Sequence, residues 1–585
     1  MRSQLLAVSI AAALLTSLIA APANAKPDAA TPGKGTERID PPGQLVQLQL
    51  LGFNDYHGHV KADAAGDVNG ILAGGGEYLA AKLRELRTGR KYSLTVAAGD
   101  LIGGSPAFSG LFRDEPSVES LNAMGLDVSS VGNHEFDDGV FELNRMQYGG
   151  CHPDDGCFFP NSPYQGANFQ WLAANVVNDF GETPLPPFWI RKFEGITVAF
   201  IGMTLEATDT LVSASGIAGW SFRDEARTAN ALVPILKRKH GVDAIVVLLH
   251  EGGSQDPAPG EINACEGISG PILAINEALD PAIDVMITGH THVPYNCQLP
   301  DAAGNPRIVT SAYSFGRVVT EVKLVLDKRT NDVRRDLSAA TNHLVARSAL
   351  TPDPAVTAVI EKWQPLFDEA GNNPVGIITA DIRRGSNAGQ EDRGVESSAV
   401  NLVADAQRWA TSANGAQIAF MNPGGVRTDL TIAQSNGEGD GVVTYGEAFT
   451  FQPFGNRLIT LQMTGAQIED VLRDQCQPAG SSRSFLHLGV SAGFTYDLTK
   501  TVVAGDCTSV TVSNMRLNGV ALNPAGVYSV TANKFLTDGG DNFDTFETVG
   551  GSRIDGGVDL EALINYLATF SPVAPPSTDR VNELN

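Results

Sequence analysis

The sequence predicts an α/β protein of two unequal lobes, and three observations carry that expectation. From Leu45 onward, short β-branched or Leu-rich runs alternate with amphipathic stretches, the pattern of strands separated by helices. Near the middle of the chain, Thr351-Pro352-Asp353-Pro354 is a helix-start signal that opens the helically spaced segment Ala355–Ala370. Beyond it, from about Val375 to about Phe570, strand and helix patterns are mixed, as in a smaller α+β unit.

Length and composition set the bounds. A chain of 585 residues has room for roughly two to four domains. With 43% hydrophobic and 18% charged residues the composition is that of a globular protein with more than one core, which excludes a disordered chain. Lys and Arg total 41 against 66 Asp and Glu, a formal charge of −25. Such a surface repels phosphate backbones and anionic lipid at long range, so no duplex nucleic acid partner is expected. A small anionic substrate stays open, because Arg and metal ions in one pocket invert the local sign.

Taken in order, the chain begins with Arg2, an apolar run Leu5–Ala21 and Ala23-Asn24-Ala25. Basic start, short apolar stretch and A-x-A site predict a signal peptide over 1–25, cleaved after Ala25, and a protein secreted to the extracellular or cell-envelope space. The run falls short of the ~20 residues of a membrane span, so no transmembrane anchor is expected. Residues 26–43, rich in Pro and Gly, read as a loose leader. Leu45–Phe53, Ser93–Ala98, Val128–Val131, Thr197–Ile201, Ala244–Leu249 and Val285–Thr288 read as buried strands. Gly76–Arg87 and Asp224–His240 read as helices between them. Gly70–Gly76 reads as a loop before a helix, since it lacks the Lys-Ser/Thr of a phosphate-cradling loop. Six cysteines and an export signal favour disulfides, and proximity along the chain pairs 151 with 157, 265 with 297 and 476 with 507.

Side chains able to bind metal fall just after the strands. Asn54-Asp55-Tyr56-His57 follows the first, Gly99-Asp100 the second and Gly132-Asn133-His134-Glu135-Phe136-Asp137 the third. His250 ends a fourth, and Gly289-His290-Thr291-His292 follows a fifth. Strand C-termini of an α/β sheet converge on one edge, where ligands bind. Asp55, His57, Asp100, Asn133, His250, His290 and His292 are therefore expected at one place. Seven mixed N/O donors suit two divalent ions sharing a bridging carboxylate, with Asp100 as candidate bridge. With no thiolate among them, the donors accept Zn, Mn, Co or Fe. His59 and His152 fit no such pattern and read as surface residues.

In this order the motifs resemble the calcineurin-like metallophosphoesterases, and with the second lobe the chain resembles the 5'-nucleotidase family. The resemblance implies a four-layer α/β/β/α metallophosphoesterase domain over 44–345, a linker helix over 346–372 and a substrate-binding domain over 373–585. It also implies a catalytic dyad, His134 and Asp137, beside a dinuclear metal site.

In the second lobe Arg393, Asn422, Arg427, Phe454, Asn456, Phe535 and Asp541 stand out. Arg suits bidentate phosphate contacts, two rings can sandwich a base, and a carboxylate can accept hydrogen bonds from ribose hydroxyls. The resemblance assigns substrate phosphate to Arg393, Asn422 and Arg427, base stacking to Phe454 and Phe535, ribose to Asp541 and a base contact to Asn456. Pro423 departs from the family pattern inside Asn422–Arg427, and Arg383 and Arg384 are both candidates for a further phosphate-binding Arg. The expected activity is phosphate release from nucleoside 5'-monophosphates, with nucleotide diphosphates, UDP-sugars and 2',3'-cyclic nucleotides as wider substrates. The alternatives are a same-scaffold hydrolase of a non-nucleotide ester and a non-catalytic extracellular nucleotide-binding protein. The preferred nucleotide and the oligomeric state are not legible.

Overall fold

The computed structural model describes residues 44–62, 66–255, 261–387, 389–435, 437–479, 481–503 and 505–584. The expected signal peptide and leader, 1–43, lie outside them.

The first lobe is a sandwich of two sheets. One contains, in spatial order, Asp332–Val333, Val318–Asp327, Leu45–Phe53, Ser93–Ala98, Val128–Ser130 and Gln170–Leu172, with Ala339–Leu344 also paired to Val318–Asp327. The other runs Tyr295–Pro300, Pro306–Ser311, Val285–Thr288, Ala244–His250, Ile196–Thr204, Phe188–Phe193. The central strands of each are parallel.

Side-chain parity explains the layers. In the first strand Val46, Leu48 and Leu50 face the opposite sheet, while Leu51 and Phe53 face helices. Along Ala244–His250, Ala244, Val246 and Leu248 enter the space between the sheets, and Ile245, Val247 and Leu249 face the other helical layer. Strands buried on both faces read as continuous apolar runs. Helices Gly76–Arg87, Glu115–Met124 and Gly139–Tyr148 cover one sheet, and Glu225–Lys239 and Pro271–Ala278 the other, giving the four-layer α/β/β/α order. The strand ends therefore come from two facing sheets rather than from one open edge.

Helix Pro354–Gly371 begins where Asp353 accepts a hydrogen bond from the Ala355 amide, 2.8 Å away. It packs on the first lobe through Trp363, which is fully buried, lies 5.2 Å from the Phe112 ring and donates to Glu119 at 2.9 Å. The second lobe holds a five-stranded sheet (Gly489–Val490, Ile418–Met421, Val527–Asn533, Arg457–Thr464, Ile554–Val558). A four-stranded sheet (Val520–Ala521, Asp506–Leu517, Phe494–Val503, Val581–Glu583) lies beside it, with helices Ser398–Ala410, Gly465–Arg473 and Asp559–Phe570.

Disulfides join Cys151 to Cys157, Cys265 to Cys297 and Cys476 to Cys507, the pairs that chain proximity favours. Among the described residues no helix is long and apolar enough to cross a membrane.

Candidate active site

The loops after the strands are tightly turned. Asp55, His57, Asp100, His290 and His292 all adopt positive φ, between 45° and 72°. Non-glycine residues in this region carry strain that concentrates at functional sites. The loops are tied to one another: the Asp55 amide donates to Gly99 O at 3.1 Å and the His57 amide to Asp100 O at 3.0 Å. At Gly132 a Cβ would lie 2.2 Å from Asp100 Oδ1, so only glycine admits this approach.

These turns bring the predicted donors together in two groups that meet at Asp100. Asp55, His57 and His292 form one group, and Asp100, His250 and His290 the other. Within the first, His292 Nε2 lies 3.1 Å from Asp55 Oδ1 and 3.2 Å from His57 Nε2. Asp100 Oδ2 is 2.9 Å from His250 Nε2 and 3.6 Å from His57 Nε2, so one carboxylate oxygen faces both groups. Asn133 Oδ1 joins the second group, 3.1 Å from His290 Nδ1.

The donors fit a pair of cations. Asp55 Oδ1 and His250 Nε2 are buried and, despite their nearness to His292 and Asp100, make no well-aligned hydrogen bond among the described residues, although buried polar atoms are normally satisfied. The far nitrogens are anchored: His57 Nδ1 lies 2.8 Å from Gly103 O and His250 Nδ1 2.7 Å from Ala98 O. Such outer contacts aim Nε2 inward.

The charges of the group act on one another: burial lowers the His250 pKa, but Asp100 and Asp55 outweigh it and push it up to about 10. Burial raises the Asp55 carboxyl, but His292 and His250 outweigh it and hold its pKa near 2. Burial drives His57 and His290 well below the usual imidazole range, which leaves each ring neutral with one nitrogen free of a proton.

His134 opens a single 3₁₀ turn, His134–Phe136. Its amide donates to Asp100 Oδ1 at 2.9 Å and its Nδ1 lies 2.7 Å from Asp137 Oδ2. Burial lowers the His134 pKa, but Asp137 and Asp100 outweigh burial and the net shift is upward. Its ring is also within reach of His57 and Asp100.

Above these groups lies a cleft of about 1050 Å³ lined by both lobes. Asp100, Asn133, His134, Asp137, His290 and His292 reach its wall, while Asp55, His57 and His250 lie beneath. All seven residues expected to hold substrate line the same cleft. Arg393 is paired with Glu391 at 2.6 Å. Asn422 donates to Asp541 at 2.9 Å and accepts from Asn533 at 3.0 Å. Phe454 lies parallel to the His134 ring, 5.8 Å between centroids and 12° between planes, with the Arg427 guanidinium 5.7 Å from it. The Phe535 ring packs against Gly540, and the backbone carbonyl of Asn456 accepts from the Asp559 amide. Pro423–Gly425 forms a 3₁₀ turn after an extended Asn422, which accommodates the proline.

Three expectations are corrected. His59 is buried, stacked 3.9 Å from the Phe315 ring. His152 is buried in the loop closed by Cys151 and Cys157, where its Nδ1 accepts from the amides of Asp154 and Asp155. Neither Arg383 nor Arg384 lines the cleft: Arg383 pairs with Asp381 and Asp429, and Arg384 with Glu391 and Asp429.

Sequence reasoning passed over Glu135 and Arg483. Glu135 accepts from the amides of Asp100 (3.0 Å), Leu101 (2.8 Å) and Gly132, tying the loop of Asp100 to that of Asn133. Its place inside the Gly132–Asp137 motif was the available signal. Arg483 lines the cleft from a loop without any motif.

The family model for calcineurin-like phosphoesterases matches residues 49–294, and that for the 5'-nucleotidase C-terminal domain matches residues 374–548. The chain is 32% identical over 556 residues to endonuclease YhcR of Bacillus subtilis, covering 93% of this chain but only 42% of that protein. It is 32% identical over 545 residues to the cell wall protein Lmo0130 of Listeria monocytogenes, covering 89% of this chain and 67% of the relative. The crystal structure of a 5'-nucleotidase precursor from Thermus thermophilus shares the fold, with a TM-score of 0.72, 23% identity and coverage of 92% and 100% of the two chains.

Proposed function

We propose, for a chain that belongs to the 5'-nucleotidase family, that it is a metal-dependent hydrolase that releases phosphate from nucleoside 5'-monophosphates. One observation carries the reading: a single cleft is lined by the His134–Asp137 pair, by Asp100, Asn133 and two histidines of the metal groups, and by the Arg, Phe and Asp side chains of the second lobe.

Asp55, His57 and His292 would hold one divalent cation and Asn133, His250 and His290 another, with Asp100 between them. When bound, such a pair supplies electrophilic activation of the phosphoryl group and of water. The chain's own residues do the rest. Asp137 accepts from His134 Nδ1–H, which fixes the ring and turns Nε2 to the cleft. The Asp137 carboxylate favours a proton on this ring, available to the charge that grows on the phosphoryl oxygens. Arg393 and Arg427 hold the phosphoryl group, Phe454 and Phe535 take the base, and Asp541 takes the ribose hydroxyls. In this reading residues 44–345 supply the chemistry and residues 373–585 the recognition.

The pattern Arg2–Ala25, the three disulfides and the relative named as a cell wall protein support export.

The test is hydrolysis by residues 26–585 of AMP and a small aryl phosphate, read as phosphate release, and of UDP-glucose and 2',3'-cyclic AMP, read as their nucleotide and nucleoside products, after chelation and re-addition of Mn²⁺, Zn²⁺ or Co²⁺. Metal-dependent turnover of AMP above the aryl phosphate supports the proposal. Turnover of the aryl phosphate alone would point to a non-nucleotide ester, and nucleotide binding without turnover to a non-catalytic protein.

A further inference from the structure

The cleft holds an arginine that no motif accounts for. Arg483 sits next to the neck of a loop that is closed by the Cys476–Phe485 bridge and by a 3.0 Å hydrogen bond from the Gln477 amide to Ser484 O. The Cys476–Cys507 disulfide fastens that neck to strand Asp506–Leu517. Gln477 also donates to Asp541 O at 2.9 Å and accepts from Asn542 at 2.8 Å, which ties the loop to the segment carrying Asp541. Ser481, Ser482 and Arg483 face the cleft from this frame.

Around Arg483 the guanidiniums of Arg393 and Arg427 oppose its charge, and the carboxylates of Glu391 and Asp541 favour it. Arg393 has Glu391 as partner. Arg427 has only a backbone acceptor, Gly424 O at 3.4 Å, and Arg483 makes neither hydrogen bond nor ion pair among the described residues. Arg393 and burial pull the Arg483 pKa down to about 10. Its charge also reaches Glu251 and His290 on the opposite wall. Converging like charges in a partly dry cleft are unfavourable on their own and are relieved by an anion. A planar fork of donors suits phosphoryl oxygens.

We propose that Arg483, held out by the stapled loop Cys476–Phe485, is a substrate-binding residue that joins Arg393 and Arg427 in gripping the phosphoryl group to be hydrolysed. This rests on the proposed function of the cleft, and it deepens that reading by adding a third guanidinium from a separate element. The group selected is a dianionic terminal phosphoryl, whatever is attached beyond it.

The experiment compares wild type, Arg483→Gln and Arg483→Lys in the metal-loaded full chain. Five quantities are read: KM and kcat for AMP and for a small aryl phosphate, inhibition by inorganic phosphate, metal content and Tm. Loss of a charged hydrogen bond to phosphate predicts a rise of roughly tenfold or more in both KM values and in the phosphate inhibition constant for Arg483→Gln. Smaller changes in kcat, unchanged metal content and Tm, and partial recovery in Arg483→Lys complete the expected result. KM and phosphate inhibition within about twofold of wild type would overturn the proposal. So would a rise for AMP alone, which marks a nucleoside contact, or a rise accompanied by falling Tm and metal content, which marks a structural role. If wild type turns over neither substrate, the proposed function fails first. Titration of the metal-loaded proteins with inorganic phosphate then tests Arg483 separately, and equal affinity in wild type and Arg483→Gln would overturn it.

Discussion

Replacing Asp137 with Asn tests how His134 is used. His134 Nδ1 and Asp137 Oδ2 are 2.7 Å apart, and their side chains are 13% and 22% exposed, so solvent screens the contact only in part. A charge-assisted hydrogen bond of this kind is worth about 1.5–3 kcal/mol. Asn keeps the volume but offers a neutral amide, so both the charge and the fixed ring orientation weaken. At about 1.4 kcal/mol per decade, kcat/KM falls roughly 10- to 150-fold. The assay is steady-state phosphate release from AMP with saturating Mn²⁺, alongside metal content, which stays at the wild-type level because Asp137 is no proposed ligand. A double-mutant cycle sharpens the test. If Asp137 acts through His134, then His134→Ala and His134→Ala/Asp137→Asn have the same rate. If the double variant instead falls further by the full factor of Asp137→Asn alone, the two side chains act independently and the dyad is refuted. Metal loss in Asp137→Asn would refute it too.

Asp100 Oδ2 faces both donor groups, so Asp100→Ala is expected to empty both metal positions, while His290→Ala empties one; equal metal content in the two variants, by elemental analysis, would remove Asp100 from its bridging role. Phe454→Ala is expected to raise KM for AMP by about 5- to 150-fold, from a stacking contribution of roughly 1–3 kcal/mol, and to leave KM for an aryl phosphate unmoved. Equal losses on both substrates would mean that the ring serves its parallel neighbour His134 rather than the base. Asp284 is buried, its pKa is pushed up to about 6, and it accepts from the Ile245 amide at 3.0 Å. Its folded pKa lies above the unfolded value, so the folded state favours the protonated form and stability from this site is lost as pH rises from about 4 through 6. Asp284→Asn keeps the acceptor without the charge, so denaturant melts should show it gaining on wild type at pH 7 and the gain vanishing near pH 4. A gap that does not change with pH would refute the burial argument.

Much of the architecture is local information. In Ala244–Leu249 both parities are apolar, which states that the strand is covered on two faces, whereas Leu45–Phe53 alternates through Gln47 and Gln49 before its apolar end. The polar residues that follow, Asp55, Asp100, Asn133 and His250, mark which end is functional. The helix before Gly371 announces itself through Asp353 and Pro354, and cysteine spacing anticipates all three disulfides.

What the local pattern lacks is partner choice over long separations. His57 Nε2 meets His292 Nε2 at 3.2 Å across 235 residues, and it does so because two sheets face each other, a fact that periodicity in either strand does not contain. His59 follows a proposed ligand, His57, in sequence like any loop residue; only the fold lays Phe315 over it. Arg383 and Arg384 sit near the motif that suggested them, yet their carboxylate neighbours turn them away. Arg483 has no motif at all and reaches the cleft because a disulfide and Gln477 fix the direction of its loop. Residue order alone specifies which segments are strands, which faces are dry and which side-chain types are available for metal and phosphate. Which of those residues share a space is settled by the packed fold, because that depends on chain closure and packing between elements far apart in sequence.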